Sequence, residues 1–390
     1  MRTLSLAGLS LLVLSACGGD DGNPSDVDAG SGFDAGTPVP DAALPDGAVP
    51  PMPDGGSDGG TDAGMDAGPP CECPTLPTTC EAPTPLVFGP ADPDFRAQLF
   101  QVIACADETL DLAVYLSSWD CLADAVAARL TAVPALQVRI VVDDDLCPVM
   151  GATRDCALGA LAGHPRVTFA DDDRSALMHH KYVIADGELA WVSSANFSYN
   201  SFCEESNVSV VVDDAAIVAG LEAELDRFVG GAAGPIVRTP NEGATATLYF
   251  SPETPVTMAP TWFRAMETAF SEATTSIDVM IYSFTRTELS TAMLAARERG
   301  VTVRVLTSYR FRNEAPIAAL RAAGVEVRAS DVHQKTAVID GQTLILGSAN
   351  WSMNAWESNE NSLWLRDAAM AEAASAELDR LWATADVLTD

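Results

Sequence analysis

Two short stretches of the chain carry residue types suited to phosphoryl transfer, and they repeat each other. The members of the two stretches are His179, Lys181, Asp186, Ser194 and Asn196 in the first, and His333, Lys335, Asp340, Ser348 and Asn350 in the second. Each member of the second stretch lies 154 positions after its counterpart in the first. A histidine can attack phosphorus or carry a proton, and lysine and asparagine can hold phosphate oxygens. The repeat therefore predicts that both stretches contribute to one site whose chemistry uses histidine, lysine and amide groups.

The rarity of lysine draws attention to the same two positions. Of the 22 basic residues in the chain, only Lys181 and Lys335 are lysines. Three of the four histidines, His179, His180 and His333, also lie in the two stretches. The fourth, His164, precedes a proline, and we expect it in a surface loop rather than in a site.

The spacing within each stretch predicts a β-hairpin. A histidine and a lysine two residues apart on a strand project from the same face, so both can reach one cleft. Each strand then meets an Asp-Gly dipeptide, at 186–187 or 340–341, which favours a tight turn before a returning apolar strand. The return would bring Asn196 back beside His179 and Asn350 back beside His333. In this interpretation the two aspartates anchor the turn.

The elements that would carry these hairpins alternate in the manner of an α/β fold, and they occur twice. The first half predicts helices over 95–106 and 123–130 and strands over 110–115 and 138–142. The second half predicts helices over 262–273 and 289–299 and strands over 277–282 and 301–306. Glycines and prolines between about 230 and 242 indicate a boundary. We therefore expect a first lobe over 85–235 and a second over 243–390.

The beginning of the chain has the layout of an export signal. Residues 1–17 contain a short apolar run that ends in Leu-Ser-Ala-Cys, and the run is too short to cross a bilayer. This ending resembles a bacterial lipobox, which implies lipidation of Cys17 and, with Gly18 after it, passage to the outer membrane. A plain cleaved signal is the alternative. Residues 18–84 predict an Asp/Gly/Pro-rich tether with a Cys-rich approach to the first lobe.

The remaining cysteines predict disulfides. There are eight of them, all in the front half of the chain, at positions 71, 73, 80, 105, 121, 147, 156 and 203. An even number in an exported protein favours disulfides that staple the first lobe, with a connectivity that sequence leaves open. A metal site at Cys71, Cys73 and Cys80 is disfavoured because no histidine lies nearby. We expect no metal and no other cofactor.

The two stretches resemble the signature of the phospholipase D superfamily, His-x-Lys-x4-Asp-x6-Gly-Ser-x-Asn. The second copy matches throughout, and the first has Ser193 in place of the glycine. The resemblance extends from about residue 85 to the C-terminus. It implies an α/β fold of two duplicated lobes, each a mixed β-sheet flanked by helices, packed about a pseudo-twofold axis around one metal-free site.

The resemblance also implies a mechanism. One histidine attacks phosphorus and the other protonates the departing alcohol; family precedent gives these roles to His179 and His333, and the pseudo-symmetry permits their exchange. The expected catalytic residues are His179, Lys181, Asp186, His333, Lys335 and Asp340, and the expected phosphate-binding residues are Lys181, Ser194, Asn196, Lys335, Ser348 and Asn350. Family carboxylates about 25 to 30 residues past each histidine hold its other ring nitrogen, which implies Glu205 for the first copy and Glu360 for the second.

Charge guides the expected substrate. A formal net charge of −33 opposes nucleic acid, whose binding depends on neutralising phosphates with basic side chains. The second half contains an arginine cluster at 310, 312, 321 and 328. Such a cluster is more often a solvent-exposed face than a groove that binds nucleic acid. We therefore expect a phospholipase D that releases headgroup alcohol from phospholipids, with possible transfer to other alcohols, anchored by lipid to the cell envelope. It should be a monomer because both motifs share one chain. The alternatives are a metal-independent endonuclease, a phosphatidyltransferase and an inactive binding module.

Overall fold

The computed structural model describes residues 71–147 and 156–388. The expected signal, the lipobox Cys17 and most of the tether lie outside the described residues. Within the described part of the chain, no helix is both long enough and apolar enough to cross a membrane.

The first lobe is a seven-stranded mixed sheet with helices packed on it. Its elements in chain order are β1 (Leu86–Gly89), α1 (Asp94–Cys105), β2 (Thr109–Val114), α2 (Asp120–Ala132), β3 (Gln137–Val142), a short 3-10 helix (Ala157–Leu161), β4 (Val167–Asp171), β5 (Lys181–Ala185), β6 (Leu189–Ser193), α3 (Tyr199–Cys203), β7 (Asn207–Val212) and α4 (Ala215–Val229). The strand order is β1-β7-β6-β5-β2-β3-β4. Strands β2, β3 and β4 are parallel, and the other pairings are antiparallel.

The second lobe repeats this plan with a nine-stranded sheet. Its elements are β8 (Asn241–Glu242), β9 (Ala246–Ser251), α5 (Thr261–Glu272), β10 (Ser276–Ile281), α6 (Thr287–Glu298), β11 (Thr302–Ser308), α7 (Ala315–Ala322), β12 (Glu326–Ser330), β13 (Lys335–Ile339), β14 (Thr343–Gly347), α8 (Asn354–Glu357), β15 (Glu360–Arg366), α9 (Ala368–Trp382) and β16 (Asp386–Val387). The order is β16-β12-β11-β10-β13-β14-β15-β9-β8. Two duplicated mixed sheets flanked by helices confirm the predicted fold class.

A common apolar core joins the lobes. Each lobe has its own core on one face of its sheet. A third cluster is shared, because it contains Val210 and Leu221 of the first lobe together with Leu248 and Leu363 of the second. The central strands are therefore buried on both faces, which explains their continuous apolar sequences.

Two short backbone bridges also link the lobes. Met178 pairs with Asn359, and Ser206 pairs with Val332. Each bridge joins the residue just before a motif histidine in one lobe to the approach to β7 or β15 in the other. The two bridges therefore join equivalent segments of the two lobes, as an approximate twofold axis between the lobes requires.

The eight cysteines after Cys17 form four disulfides within the first lobe and between it and its approach segment, as expected. The bonds are Cys71–Cys203, Cys73–Cys121, Cys80–Cys105 and Cys147–Cys156. Three of them tie residues 71–80, which have little secondary structure, to helices α1, α2 and α3. The fourth closes the loop that follows β3.

Candidate active site

The two motif histidines lie at the contact between the lobes. His179 and His333 are each only 1% exposed. They precede β5 and β13 instead of lying within these strands, which corrects the expectation that histidine and lysine share a strand. The reason is that their backbone amides pair with the opposite lobe: His179 N donates to Asn359 O at 3.0 Å, and His333 N to Ser206 O at 2.8 Å.

The two lysines open strands β5 and β13 and are buried beside the histidines. Lys181 and Lys335 are 0% and 2% exposed. Their Nζ atoms donate to the carbonyl oxygens of His179 and His333 at 2.7 and 2.8 Å. Lys335 Nζ also lies 3.3 Å from each ring nitrogen of His333. Two ammonium groups at this contact supply positive potential that the acidic chain otherwise lacks.

Two tyrosines that sequence reasoning missed complete the walls. The Tyr115 ring lies 4.8 Å from the His179 ring, and the Tyr282 ring lies 4.6 Å from the His333 ring, between centroids. Lys181 Nζ and Lys335 Nζ lie 4.9 and 5.2 Å from the centroids of these same rings. The sequence did contain a signal, because each tyrosine ends one of the duplicated strands predicted over 110–115 and 277–282.

The carboxylate that holds His179 comes from the other lobe. His179 Nδ1 donates to Glu360 Oε2 at 2.8 Å, and both side chains are buried, at 1% and 3% exposure. The family spacing predicts that Glu360 holds His333, the histidine of the second copy of the motif. The assignment of partners was therefore wrong: the lobes exchange them, because β15 approaches His179 through the Met178–Asn359 bridge.

The partner of His333 is mainly an asparagine. His333 Nδ1 lies 3.0 Å from Asn207 Oδ1 but 3.9 Å from Glu205 Oε2, whose side chain is 28% exposed and accepts from Ser201 Oγ. Asn207 Nδ2 donates to Ser201 O at 3.1 Å, so Oδ1 is the atom that faces the histidine. Sequence reasoning missed Asn207, although it lies 154 positions before Asn361.

The motif serines hydrogen-bond the segments that carry the partners of the histidines. Ser194 Oγ donates to Asn207 Oδ1 at 2.8 Å and accepts from Val208 N at 3.1 Å, and the residue is fully buried. Ser348 Oγ accepts from Asn361 N at 2.9 Å and is equally buried. The Ser194 hydroxyl therefore both donates and accepts within the protein, whereas Ser348 Oγ only accepts. That the two serines bind phosphate stays a prediction.

The motif asparagines retain unused hydrogen-bonding capacity. Asn196 Oδ1 and Asn350 Oδ1 are buried and have no hydrogen-bond partner among the described residues. Pairing of Tyr182 with Val192 carries the chain back, so that residues after Ser193 lie opposite those before Lys181. Because buried polar atoms are nearly always satisfied, these two amide oxygens at equivalent places are suited to accept from a donor such as a water molecule or a hydroxyl group.

The motif aspartates lie at the far ends of the strands, away from the histidines. Asp186 accepts from the backbone amides of Asp107, Glu108 and Thr109 at 2.7 to 2.8 Å. Asp340 accepts in the same way from the backbone amides of residues 274–276. Burial raises the pKa of Asp340, but these hydrogen bonds have the larger effect and hold the pKa below its usual value. Their inclusion among the catalytic residues is therefore corrected: they anchor the turns, at φ of 54° and 55°.

The serine that replaces the signature glycine is accommodated by its own hydrogen bonds. Ser193 Oγ donates to Val208 O at 2.7 Å and accepts from Ala195 N at 3.0 Å. In the second lobe Gly347 has φ of +146°, and a Cβ there would lie 2.4 Å from Asn361 O. The two copies therefore reach the same loop by different backbone conformations.

The chemistry available here is that of histidine, lysine and amide groups. Among residues 71–147 and 156–388, no group of three or more His, Cys, Asp or Glu side chains is arranged to hold a metal ion. The site therefore presents two histidines and two ammonium groups, and the partners of its histidines come from opposite lobes.

Comparison with known proteins agrees with this geometry. Residues 99–229 and 266–382 match the family described as "Cardiolipin synthase, PLD-like domain". Over 122 residues, 29% of this chain, the sequence is 38% identical to mitochondrial cardiolipin hydrolase of Danio rerio, and over 121 residues it is 35% identical to that of Homo sapiens. The chain spans about half the length of these curated relatives, 54% and 48% respectively.

A solved structure shares the two-lobed fold. Phosphatidylserine synthase of Haemophilus influenzae superimposes with a TM-score of 0.59 and 14% identity, covering 80% of this chain and 89% of that one. This likeness concerns the fold alone. Since the family match covers both lobes and both motifs, the chain belongs to the cardiolipin synthase, PLD-like domain family of the phospholipase D superfamily.

Proposed function

We propose that the protein is a phosphodiesterase that hydrolyses phospholipids to phosphatidate and a free headgroup alcohol. The observation that carries this proposal is that each motif histidine is held by residues of the opposite lobe, through its backbone amide and its ring nitrogen. Each has a buried lysine of its own motif beside it and a ring-nitrogen partner from the other lobe. This is the arrangement that a two-step displacement at phosphorus needs.

The first step forms a phosphohistidine. The Nε2 lone pair of one histidine attacks phosphorus, the bond from phosphorus to the headgroup oxygen breaks, and that oxygen takes a proton from the other histidine. In the second step a water molecule gives a proton to the histidine that lost one and bonds to phosphorus, which releases the first histidine. With an alcohol in place of water, the same step would transfer the phosphatidyl group.

Positive charge and amide groups would stabilise the transition state. Lys181 and Lys335 bring two cations to the phosphate, and the Nδ2 groups of Asn196 and Asn350 would donate hydrogen bonds to its oxygens. Because these groups are already buried and fixed, little reorganisation accompanies the reaction.

Two observations support a phospholipid over nucleic acid. The curated relatives are named as cardiolipin hydrolases, and cardiolipin is a phospholipid. The net charge of −33 repels a polyanion, whereas a single phosphodiester needs only the local cations. Lipidation at Cys17 and export to the cell envelope, with the chain acting as a monomer, would place the site at a membrane and complete the proposal.

The test compares lipid and DNA cleavage by the full chain. Release of choline and ethanolamine from phospholipid vesicles is measured beside nicking of plasmid DNA, both with a chelator present. His179→Ala and His333→Ala should each abolish headgroup release, and His164→Ala, which removes the histidine outside the site, should leave it intact. DNA nicking without lipid turnover would replace the phospholipase by a nuclease. Absence of both activities in folded protein would favour a binding module.

A further inference from the structure

A cavity adjoins the histidine of the first lobe. Its volume is about 360 Å³, and its wall includes Tyr115, Asp143, Asp145, Glu357 and Ser358. Residues 175–177, just before His179, and residues 354–358, just before Glu360, form two of its sides. Since the Tyr115 ring packs 4.8 Å from the His179 ring, the cavity extends the active site and is not a separate one.

The wall of this cavity is strongly acidic. Asp143 is buried, at 1% exposure, and Asp145 and Glu357 are exposed at the rim. None of the described residues in the wall is basic. Arg174 is close by, since it donates to Glu357 O at 3.0 Å and to Asn359 Oδ1 at 2.7 Å. Lys181 is the second nearby cation, since its Nζ lies 4.9 Å from the centroid of the Tyr115 ring. Two cations therefore face three carboxylates, and the cavity and its surroundings carry a net negative charge.

The loop that follows the equivalent strand of the second lobe has a different sequence. Strands β3 and β11 occupy equivalent places in the two lobes. Val142 of β3 pairs with Val114 at the end of β2, and Thr307 of β11 pairs with Ile281 at the end of the equivalent strand β10. Counting on from these pairs, Asp145 corresponds to Arg310. The chain is therefore nearly twofold in its motif histidines and lysines, but the acidic residue at 145 has no acidic counterpart in the equivalent loop of the second lobe. A substrate with a charged headgroup would accordingly bind in one direction only.

We propose that this cavity holds the departing headgroup and selects a positively charged one, such as an amino alcohol, against anionic or neutral alcohols. The inference rests on the proposed function, whose substrate class it names. A volume of about 360 Å³ suits a headgroup and is too small for two acyl chains. Asp145 and Glu357 are then the residues that set specificity, while the buried Asp143 lies beneath them.

The position of the cavity also sets the direction of displacement. A headgroup on the side of His179 receives its proton from His179, and His333 attacks phosphorus from the far side. The ring-nitrogen partners are compatible with these roles: Glu360 can stabilise the protonated His179 that donates to the headgroup, and Asn207 Oδ1 can accept from His333 Nδ1 so that Nε2 is free to attack. This reverses the roles that family precedent gave to the two histidines.

Specificity is tested with two lipids that share their acyl chains. The full chain is assayed on phosphatidylethanolamine and phosphatidylglycerol in neutral detergent micelles, which remove differences in surface charge, and the ratio of the two kcat/KM values is recorded. We expect the wild type to favour phosphatidylethanolamine. Asp145→Lys and Glu357→Lys should each lower the ratio about 3- to 10-fold. Glu188→Lys changes the net charge equally but lies at the distant β5–β6 turn, so it should leave the ratio unchanged.

Two results would overturn the cavity proposal while the phospholipase stands. One is a wild-type ratio that does not favour the amino lipid, and the other is an equal response to Glu188→Lys. If no phospholipid is hydrolysed, the proposed function itself fails. Binding of free choline, followed by saturation-transfer NMR, then decides the cavity: binding lost in Asp145→Lys and Glu357→Lys supports it, and no binding by the wild type refutes it.

The direction of displacement has its own test. A phosphatidyl ester of p-nitrophenol needs no proton on its leaving group, so His179→Ala should still release one equivalent of p-nitrophenol and retain the phosphatidyl group on His333. His333→Ala should release none. The opposite pattern, with a covalent group on His179, would restore the precedent.

Discussion

Replacing Glu360 by glutamine should slow headgroup release far more than the same replacement at Glu205. Glutamine keeps the size of the side chain and removes its negative charge. Glu360 is buried and lies 2.8 Å from His179 Nδ1, whereas Glu205 lies 3.9 Å from His333 Nδ1 with 28% of its side chain exposed. The two variants therefore form a matched pair that differs in burial and distance.

The expected sizes follow from these contacts. A hydrogen bond to a charged group contributes about 1.5–3 kcal/mol, and about 1.4 kcal/mol corresponds to a tenfold change in rate. Glu360→Gln should thus lower kcat about 10- to 150-fold. A partly exposed pair beyond hydrogen-bond distance contributes at most about 1 kcal/mol, so Glu205→Gln should lower kcat less than about 5-fold.

The assay is the initial rate of headgroup release over a range of lipid concentrations, with a thermal melt of each variant. If Glu360 acts through His179, kcat falls while KM and the folded fraction at assay temperature stay near the wild-type values. Equal losses in the two variants, or a larger loss for Glu205→Gln, would refute the assignment of partners across the lobes.

Three further predictions concern stability. Asp340→Asn should lower the free energy of unfolding by about 1–3 kcal/mol in urea at pH 7. Because the folded state lowers the pKa of this carboxyl, the difference from the wild type should begin to shrink as the pH falls below 3.8 and should disappear only below the lowered pKa. Burial raises the pKa of Asp172 to about 8 and that of Asp143 to about 6, so stability should decline as the pH rises from about 4 to 8, and Asp172→Asn should flatten this decline. Gly347→Ser should lower the Tm, since φ is +146° and a Cβ would meet Asn361 O at 2.4 Å, whereas a rise in Tm would show that the loop adapts as it does at Ser193.

The duplicated fold could be predicted because its signals are local or repeat at a fixed distance. The strands predicted over 110–115 and 277–282 correspond to β2 (Thr109–Val114) and β10 (Ser276–Ile281). The Asp-Gly turns lie where the hairpins were expected, and both aspartates adopt positive φ. These features depend on periodicity and turn chemistry, which a single sequence contains.

Contacts between the lobes could not be predicted in the same way. Glu360 holds His179 across 181 residues, and Asn207 holds His333 across 126. Spacing along the chain suggested the partner within each copy, but the bridges Met178–Asn359 and Ser206–Val332 place each partner in the other copy. The roles of Ser194 and Tyr115 likewise depend on which loops meet, and a motif does not record this.

The same limit applies to the disulfides. An even number of cysteines indicated bonds, but the pairing of Cys71 with Cys203 over 132 residues depends on α3 lying beside the approach segment. Sequence thus predicted the chemistry of the site and the fold class, while the assignment of partners required the folded chain.

The most direct test of one shared site is the stoichiometry of the covalent intermediate. Phospholipid labelled in its phosphate is mixed with excess full chain, the reaction is stopped under alkaline denaturing conditions that preserve phosphohistidine, and the labelled peptide is identified by mass spectrometry. We predict that the wild type carries at most one labelled histidine per chain and that this histidine always belongs to the same motif. When that histidine is replaced, the histidine of the other motif should not take up label. Label on both His179 and His333, or two equivalents per chain, would contradict a single site made by the two motifs together.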